Sequence, residues 1–169
     1  MKTKIVLDAD VIIHFYKGDR LTMLPEILNE YGHIILSKVY EELNKEEKSC
    51  VSMIEQTLKT LTIVEFAPSG DELREFALLN RTRGKGESAC MAYCKFHNDV
   101  IGSSNLKDIR DYCRDNDIVF LTTFDFLYFA IQRGKMSIPE AKQFIQMVKD
   151  KGSILPDYDI ETYVCKALI

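Results

Sequence analysis

The stretch KIVLDADVII, residues 4–13, decides how this chain is read. Ile5, Val6 and Leu7 have the character of a short strand buried on both faces, and Val11, Ile12 and Ile13 resume it after two carboxylates intervene. Asp8 and Asp10 therefore stand at the C-terminal tip of a core element. If strand geometry persists through Ala9, both side chains point to one side, where two ionised groups repel. A divalent cation removes that repulsion. The alternative is structural: Asp10 caps a helix that begins at Val11, and Asp8 accepts amide hydrogen bonds from the loop.

Outward from this stretch, apolar runs alternate with helical patterns, the signature of an α/β domain with a mainly parallel sheet. Strands are expected at 4–7, 33–36, 61–66, 100–102 and 118–121. Helical periodicity falls near 10–16, 21–30, 38–47, 50–59, 70–80, 86–96, 105–115, 123–133 and 138–150. The breaks Pro68-Ser69-Gly70 and Gly84-Lys85-Gly86 read as turns rather than linkers, and no internal repeat is visible.

Open parallel sheets bind ligands beyond the carboxyl ends of their strands. Asp8 and Asp10 follow the first strand; Ser37, then Glu41 and Glu42, follow the second. Ser103, Ser104 and Asn105 follow the fourth, with Asp108 one turn inside the next helix, and Thr122, Thr123, Phe124 and Asp125 follow the fifth. Polar and acidic groups thus gather at one edge. Each has a structural counterpart: Ser37 as an N-cap, and Glu41 and Glu42 as the solvated face of a helix that also carries Glu46 and Glu47. Asn105 with Asp108, Thr122 with Asp125, and Ser137 with Glu140 have the spacing of capping boxes. The Ser137 pair is read as a cap alone, and a cap is the favoured role of Asp125.

Glu87 stands in RTRGKGESACMAYCK, residues 81–95, where a basic, glycine-bearing loop turns into a helix opening with Ser88, Ala89 and Cys90. Small residues let that helix approach its neighbour closely, so Glu87 faces a crowded interior. The alternative is an acid favoured in the first turn by the helix dipole. Arg81, Arg83 and Lys85 are near enough to steer phosphates toward it, or serve as helix C-terminal cations beside turn glycines.

At 169 residues and 46% hydrophobic, the chain has the size and composition of one globular domain. Its apolar runs are too short to span a bilayer, and Asp8 arrives before any signal-length segment, so neither a membrane span nor secretion is expected and the location is taken as cytoplasmic. The five cysteines are odd in number and lack paired CxxC motifs at zinc spacing, so reduced thiols are expected, with Cys90 and Cys94 packing inside. His14, His33 and His97 are scattered, which argues against a histidine metal site or triad. Chemistry in this chain must run on carboxylates. The net charge of −4, from 22 basic and 26 acidic residues, gives no global field drawing in nucleic acid, which leaves the local cluster around Arg81 to do so.

LDADVII resembles the opening of haloacid-dehalogenase-like phosphatases, in which the first Asp is a nucleophile. Those enzymes also need a late strand ending in metal-binding Asp residues, whereas Thr122 and Thr123 stand there in this chain. The closer resemblance, over roughly residues 4–134, is to the PIN-domain ribonucleases, including VapC-type toxins. It is carried by KIVLDADVIIHFYKG, SKVYEEL, GKGESACMAYC and VIGSSNLKDI in that order. The resemblance implies a three-layer α/β/α fold with a central sheet of about five strands. It implies a nuclease domain over 1–134, with 135–169 as a C-terminal helical extension packed on it. The activity implied is hydrolysis of RNA by Asp8, Glu42, Glu87 and Asp108, with Glu42 implicated over Glu41. Asp8, Glu87 and Asp108 would hold Mg²⁺ or Mn²⁺, with Asp10, Ser104 and Asn105 as supporting hydrogen-bonding groups and Arg81, Arg83 and Lys85 on the nucleic acid. RNA is the implied partner, an antitoxin protein is a further one, and the amphipathic end YDIETYVCKALI is read as a cover for the sheet or a homodimer contact. The chain departs from the family in carrying Glu87 where many toxins have Asp, and in Asn105 where a carboxylate can stand. The second departure keeps an inactive PIN-like binding module as an alternative.

Overall fold

The computed structural model describes residues 2–167 and Ile169. Its strands are β1 (Lys4–Leu7), β2 (Gly32–Leu36), β3 (Thr62–Val64), β4 (Val100–Gly102) and β5 (Phe120–Leu121), all parallel, in the order β3-β2-β1-β4-β5. The helices are α1 (Ala9–Lys17), α2 (Leu24–Ile27), α3 (Ser37–Glu42), α4 (Lys45–Met53), α5 (Gly70–Leu79), α6 (Lys85–His97), α7 (Leu106–Asp115), α8 (Thr123–Gln132) and α9 (Ile138–Asp150). Together they form three α/β/α layers. Among the described residues no helix is long and apolar enough to cross a membrane.

β1 lies at the centre because Ile5, Val6 and Leu7 are all fully buried, the condition of a parallel strand covered on both faces. It pairs with β2 through Val6 and Ile34, and with β4 through Leu7 and Gly102. The chain leaves β1 toward β2 and β3, then crosses back to β4 and on to β5. The carboxyl ends of β1 and β4 therefore flank the point where the winding reverses, the crevice in which such sheets bind ligands. The two ends are drawn tight there: the Asp8 N–H donates to the Gly102 carbonyl at 2.8 Å, and a Cβ on Gly102 would come within 2.9 Å of Leu7 Cδ2. The opening of α6, from Gly86 to Ala92, is buried throughout and packs against α3 and α5.

Several boundaries differ from expectation for identifiable reasons. The 21–30 pattern becomes a 3₁₀ turn, Leu21–Met23, and the one-turn α2, with Pro25 set in its first turn where a missing N–H is tolerated. The 38–47 helix ends at Glu42, because Asn44 and Glu47 form a reciprocal capping box that starts α4. Glu46 and Glu47 thus belong to a different helix from Glu41 and Glu42. The 50–59 pattern is the end of α4 plus a π-helical turn, Ile54–Leu58, closed by Lys59 at φ 56. Ser37 is not an N-cap; Leu36 holds that position, and the Ser37 hydroxyl accepts the Phe66 N–H at 3.0 Å. The outer strands β3 and β5 are shorter than their apolar runs. Beyond Gly152 the described tail has a turn near 160–162 and no helix, and Leu168 lies outside the described residues. Leu155 and Ile160 are buried, and the rings of Tyr158 and Tyr163 sit 5.2 and 5.4 Å from that of Phe124 in α8.

Phe15 joins α1 to the last two helices, with its ring centroid 6.1 Å from Phe126 and 4.9 Å from Phe144. At Gly18, just past α1, a Cβ would fall 2.2 Å from two atoms of the Phe144 ring. Gly18 is required by packing. Gly18→Ala should destabilise the protein by about 1–3 kcal/mol, the usual cost of overpacking. In a Phe144→Leu background, which removes the ring, the same substitution should cost far less. Urea-unfolding midpoints of the four proteins measure the difference, and equal costs in both backgrounds would exonerate the ring.

Candidate functional site

The site grows from the junction of β1 and α1. Asp8 has extended backbone, φ −86 and ψ 162, and serves as the N-cap, with Oδ1 accepting the Ala9 N–H at 2.8 Å. The helix begins immediately, so strand geometry does not continue through Ala9. Asp8, not Asp10, is the capping residue. Asp10 lies in the first turn, where Oδ1 accepts the Val11 N–H and Oδ2 the Ser104 N–H, each at 2.7 Å. The Ser103 hydroxyl also donates to Asp10 Oδ2, at 3.4 Å. Asp10 thereby pins the loop after β4 to α1.

Glu87, in the first turn of α6, and Asp108, in the first turn of α7, meet at one amide. Asn105 Nδ2 donates to Glu87 Oε1 at 2.9 Å and to Asp108 Oδ2 at 2.8 Å. Asn105 occupies the N-cap position of α7 without a side-chain capping bond. The capping-box reading of Asn105 and Asp108 is therefore replaced by a bridge between two acids. Glu42 comes from the end of α3, and its Oε1 accepts the Gly86 N–H at 2.7 Å. A Cβ on Gly86 would stand 2.8 Å from Glu42 Oε2, so a larger residue would displace the carboxylate. Glu41 points elsewhere, to Lys38 at 3.0 Å and Lys85 at 3.6 Å.

Electrostatics tie these groups together. Asp8 is only 6% exposed. Burial raises its carboxyl above the usual range, and the charges of Asp10 and Glu42 push it further. Burial also raises Asp10, with Glu87 adding repulsion against the Ser104 and Val11 amides. Glu87 is pushed up to about 7 by burial and by Asp8 and Asp108, with Arg83 and Asn105 opposing. Cys90 is fully buried, its thiol driven well upward by burial first and then by Asp8, Cys94 and Asp10. Negative charge in this cluster exceeds its local compensation.

The basic loop divides. Arg83 is half-buried and acts on Glu87, Lys85 is paired with Glu41, and Arg81 is exposed. Asp125 lies outside the cluster in a capping box with Thr122, and it also accepts the Tyr163 hydroxyl at 2.8 Å. Ser137 and Glu140 likewise form a capping box. Sequence reasoning missed the polar chain behind Asp10. Ser104 Oγ lies 2.9 Å from Thr123 Oγ1, which lies 2.8 Å from His14 Nδ1, and Ser104 Oγ accepts the Thr123 N–H. Burial lowers His14 to about 4, so at neutral pH its ring is uncharged. The available signal was helical spacing, since His14 is four residues past Asp10 on one face of α1.

Among the described residues, no group of three or more His, Cys, Asp or Glu side chains is already gathered into a metal-holding arrangement. The donor chemistry nonetheless fits a hard divalent ion, which selects carboxylate oxygens and offsets surplus negative charge. A family model described as a PIN domain matches residues 4–166, a span that contains the whole cluster. Among curated proteins none matches the chain.

The raised Asp8 carboxyl sets a direction for stability against pH. The fold holds this proton more tightly than the unfolded chain does. The associated stability is complete at pH values below the unfolded carboxylate range, near ~3.9, and is lost as pH rises through the folded value, by at most about 1.4 kcal/mol per unit. Asn caps helices as well as Asp but has nothing to ionise. In EDTA, Asp8→Asn should therefore melt above the wild type in mildly alkaline buffer, and the excess should shrink to nothing toward pH ~4. His14 works oppositely, costing stability as pH falls from ~6.5 toward its folded value, but it is present in both proteins and cancels. Thermal melts across this range test the sign. A wild type more stable than Asp8→Asn in alkaline EDTA would make Asp8 a structural acid.

Proposed function

Because the chain belongs to the PIN-domain family, whose members are in general nucleases, we propose that it is a divalent-metal-dependent endoribonuclease. The observation that supports this most is the Asn105 bridge, which brings acids from α6 and α7 to one amide beside the buried Asp8. Asp8, Glu87 and Asp108 are the groups that would hold Mg²⁺ or Mn²⁺. Such an ion, when bound, stabilises charge on phosphoryl oxygens and acidifies a bound water. Asn105 keeps Glu87 and Asp108 together despite their like charge. Glu42, tethered through Oε1 to the Gly86 N–H, keeps Oε2 to orient water or a second ion. Asp10 and Ser104 act from behind, fixing the 103–105 loop from which Asn105 projects. Arg83 beside Glu87, with Arg81 and Lys85 on the same loop, favours the approach of a phosphate backbone.

In this proposal residues 1–134 are the nuclease unit and 135–169 an extension packed on it. The chain acts as the toxin of a toxin–antitoxin pair, in the manner of the VapC-type proteins it resembles. Its five free thiols fit a cytoplasmic setting.

The test is to incubate the protein with labelled RNA and with a phosphomonoester, each in Mn²⁺ and in EDTA. The expected result is RNA cleavage in Mn²⁺ alone, with the monoester untouched. Glu87→Gln should abolish cleavage with an unchanged far-UV circular dichroism spectrum, and Asn105→Ala should lower it roughly 10- to 100-fold, as loss of an orienting partner does. Full cleavage by Glu87→Gln would overturn the assignment. Phosphate release from the monoester would favour the phosphatase reading.

A further inference from the structure

A groove of about 1090 Å³ reaches Ser104 and Leu106, either side of Asn105, and nothing so far described uses it. Ser104, whose N–H holds Asp10, lines its near end, and Leu106 and Arg110 of α7, the helix of Asp108, line one wall. The floor includes Phe120 of β5. The opposite wall is the irregular tail, with Tyr158, Tyr163 and Lys166.

The tail is held firmly enough to present a surface. Tyr163 donates its hydroxyl to Asp125 at 2.8 Å, and Leu155 and Ile160 are buried beneath. Tyr158 is 47% exposed, and its ring stacks on that of Tyr163 with centroids 5.5 Å apart and planes 30° apart. An aromatic platform thus faces the groove. Two exposed cations flank it, Arg110 and Lys166, and among the described residues neither makes an ion pair. Arg114 differs, being neutralised by Asp111 at 2.9 Å and Asp115 at 3.0 Å.

Resting on the reading of the cluster as an RNA-cleaving centre, the geometry points to this groove as a binding track for single-stranded RNA leading to or from that centre. Bases stack on Tyr158 and phosphates meet Arg110 and Lys166, the combination by which proteins hold single strands without sequence preference. Duplex RNA does not fit this chemistry, because its bases are already stacked on one another. The rival occupant is an extended peptide adding a strand to the outer edge of the sheet, but β5 is only two residues long and offers little edge to pair with. Free cations on an aromatic surface favour the polyanion.

The test uses the full chain carrying Glu87→Gln, so that RNA is not cut, and the fluorescence anisotropy of a single-stranded RNA of roughly ten nucleotides, within the usual range for such sites. Adding Tyr158→Ala should raise Kd roughly 5- to 150-fold, while Tyr158→Phe, which keeps the ring, should preserve affinity. Adding Arg110→Gln with Lys166→Gln should weaken binding and reduce the salt-dependence slope by roughly 1.4, the value for two phosphate contacts on a single strand. Arg110 and Lys166 are exposed and take no part in the ring packing, so the charge pair remains informative if Tyr158→Ala loosens the tail. Loss of affinity in these variants supports the groove even if the wild type cuts no RNA, which would overturn the reading of the cluster alone. Unchanged affinity in both Tyr158→Ala and the charge pair overturns the groove even if the wild type is an active nuclease, and would turn attention to a protein segment as its occupant.

Discussion

A carboxylate buried at the end of the central strand is the constraint on which the rest of this molecule depends. Asp8 cannot be moved into solvent without breaking the register of β1, so the surrounding elements are built to accommodate it. β4 ends in Gly102, whose missing Cβ leaves room for the Leu7 side chain beside it. α1 starts at Ala9, which supplies an amide to the carboxylate. α6 opens with small residues, and Gly86 leaves room for Glu42. The polar chain from His14 through Thr123 and Ser104 fixes Asp10 behind it. Burial first, and then repulsion among neighbouring acids that these donors do not offset, raises Asp8, Asp10 and Glu87. Glu140 shows the contrast: a structural acid whose capping partner Ser137 holds it below the usual range. Carboxylates raised by burial in a crevice are common at functional sites, which supports the role proposed for these acids.

The same constraint explains what could be read from the sequence. β1 and β4 match the expected strands residue for residue, since each is buried up to the first polar group beyond it, Asp8 or Ser103. The outer strands were overestimated because apolarity persists where pairing does not. Leu61 and Phe66 are buried without joining β3, and Ile118 and Val119 lead into β5 rather than forming it. The break between α3 and α4 is legible in principle from Asn44 and Glu47, whose capping spacing is masked by the run of acids around it.

The cluster itself was legible as a set of positions after strands, but not as a geometry. Asn105 and Asp108 have the spacing of a cap, and only the arrival of Glu87 from a distant helix turns the Asn105 amide to bridge them. Glu41 and Glu42 are adjacent in sequence, yet about 100° apart on a helix, which sends one to Lys38 and the other to Gly86. The amphipathic pattern of the tail does not give its form, because Tyr158 and Tyr163 pack on Phe124 and on each other from irregular chain with a turn near 160–162. Local spacing can nominate a polar residue; the tertiary partner decides its role.

If the carboxylates form a divalent-cation site, ion binding should relieve the repulsion they carry. The most direct measurement is the melting temperature of the wild-type protein, freed of metal and then titrated with Mn²⁺ at neutral pH. The expected result is a melting temperature that climbs with the logarithm of Mn²⁺ concentration once the site begins to fill, reaching about 2.7 kcal/mol of added stability at 100 times the dissociation constant. A melting temperature unmoved by Mn²⁺ up to millimolar concentration would contradict it.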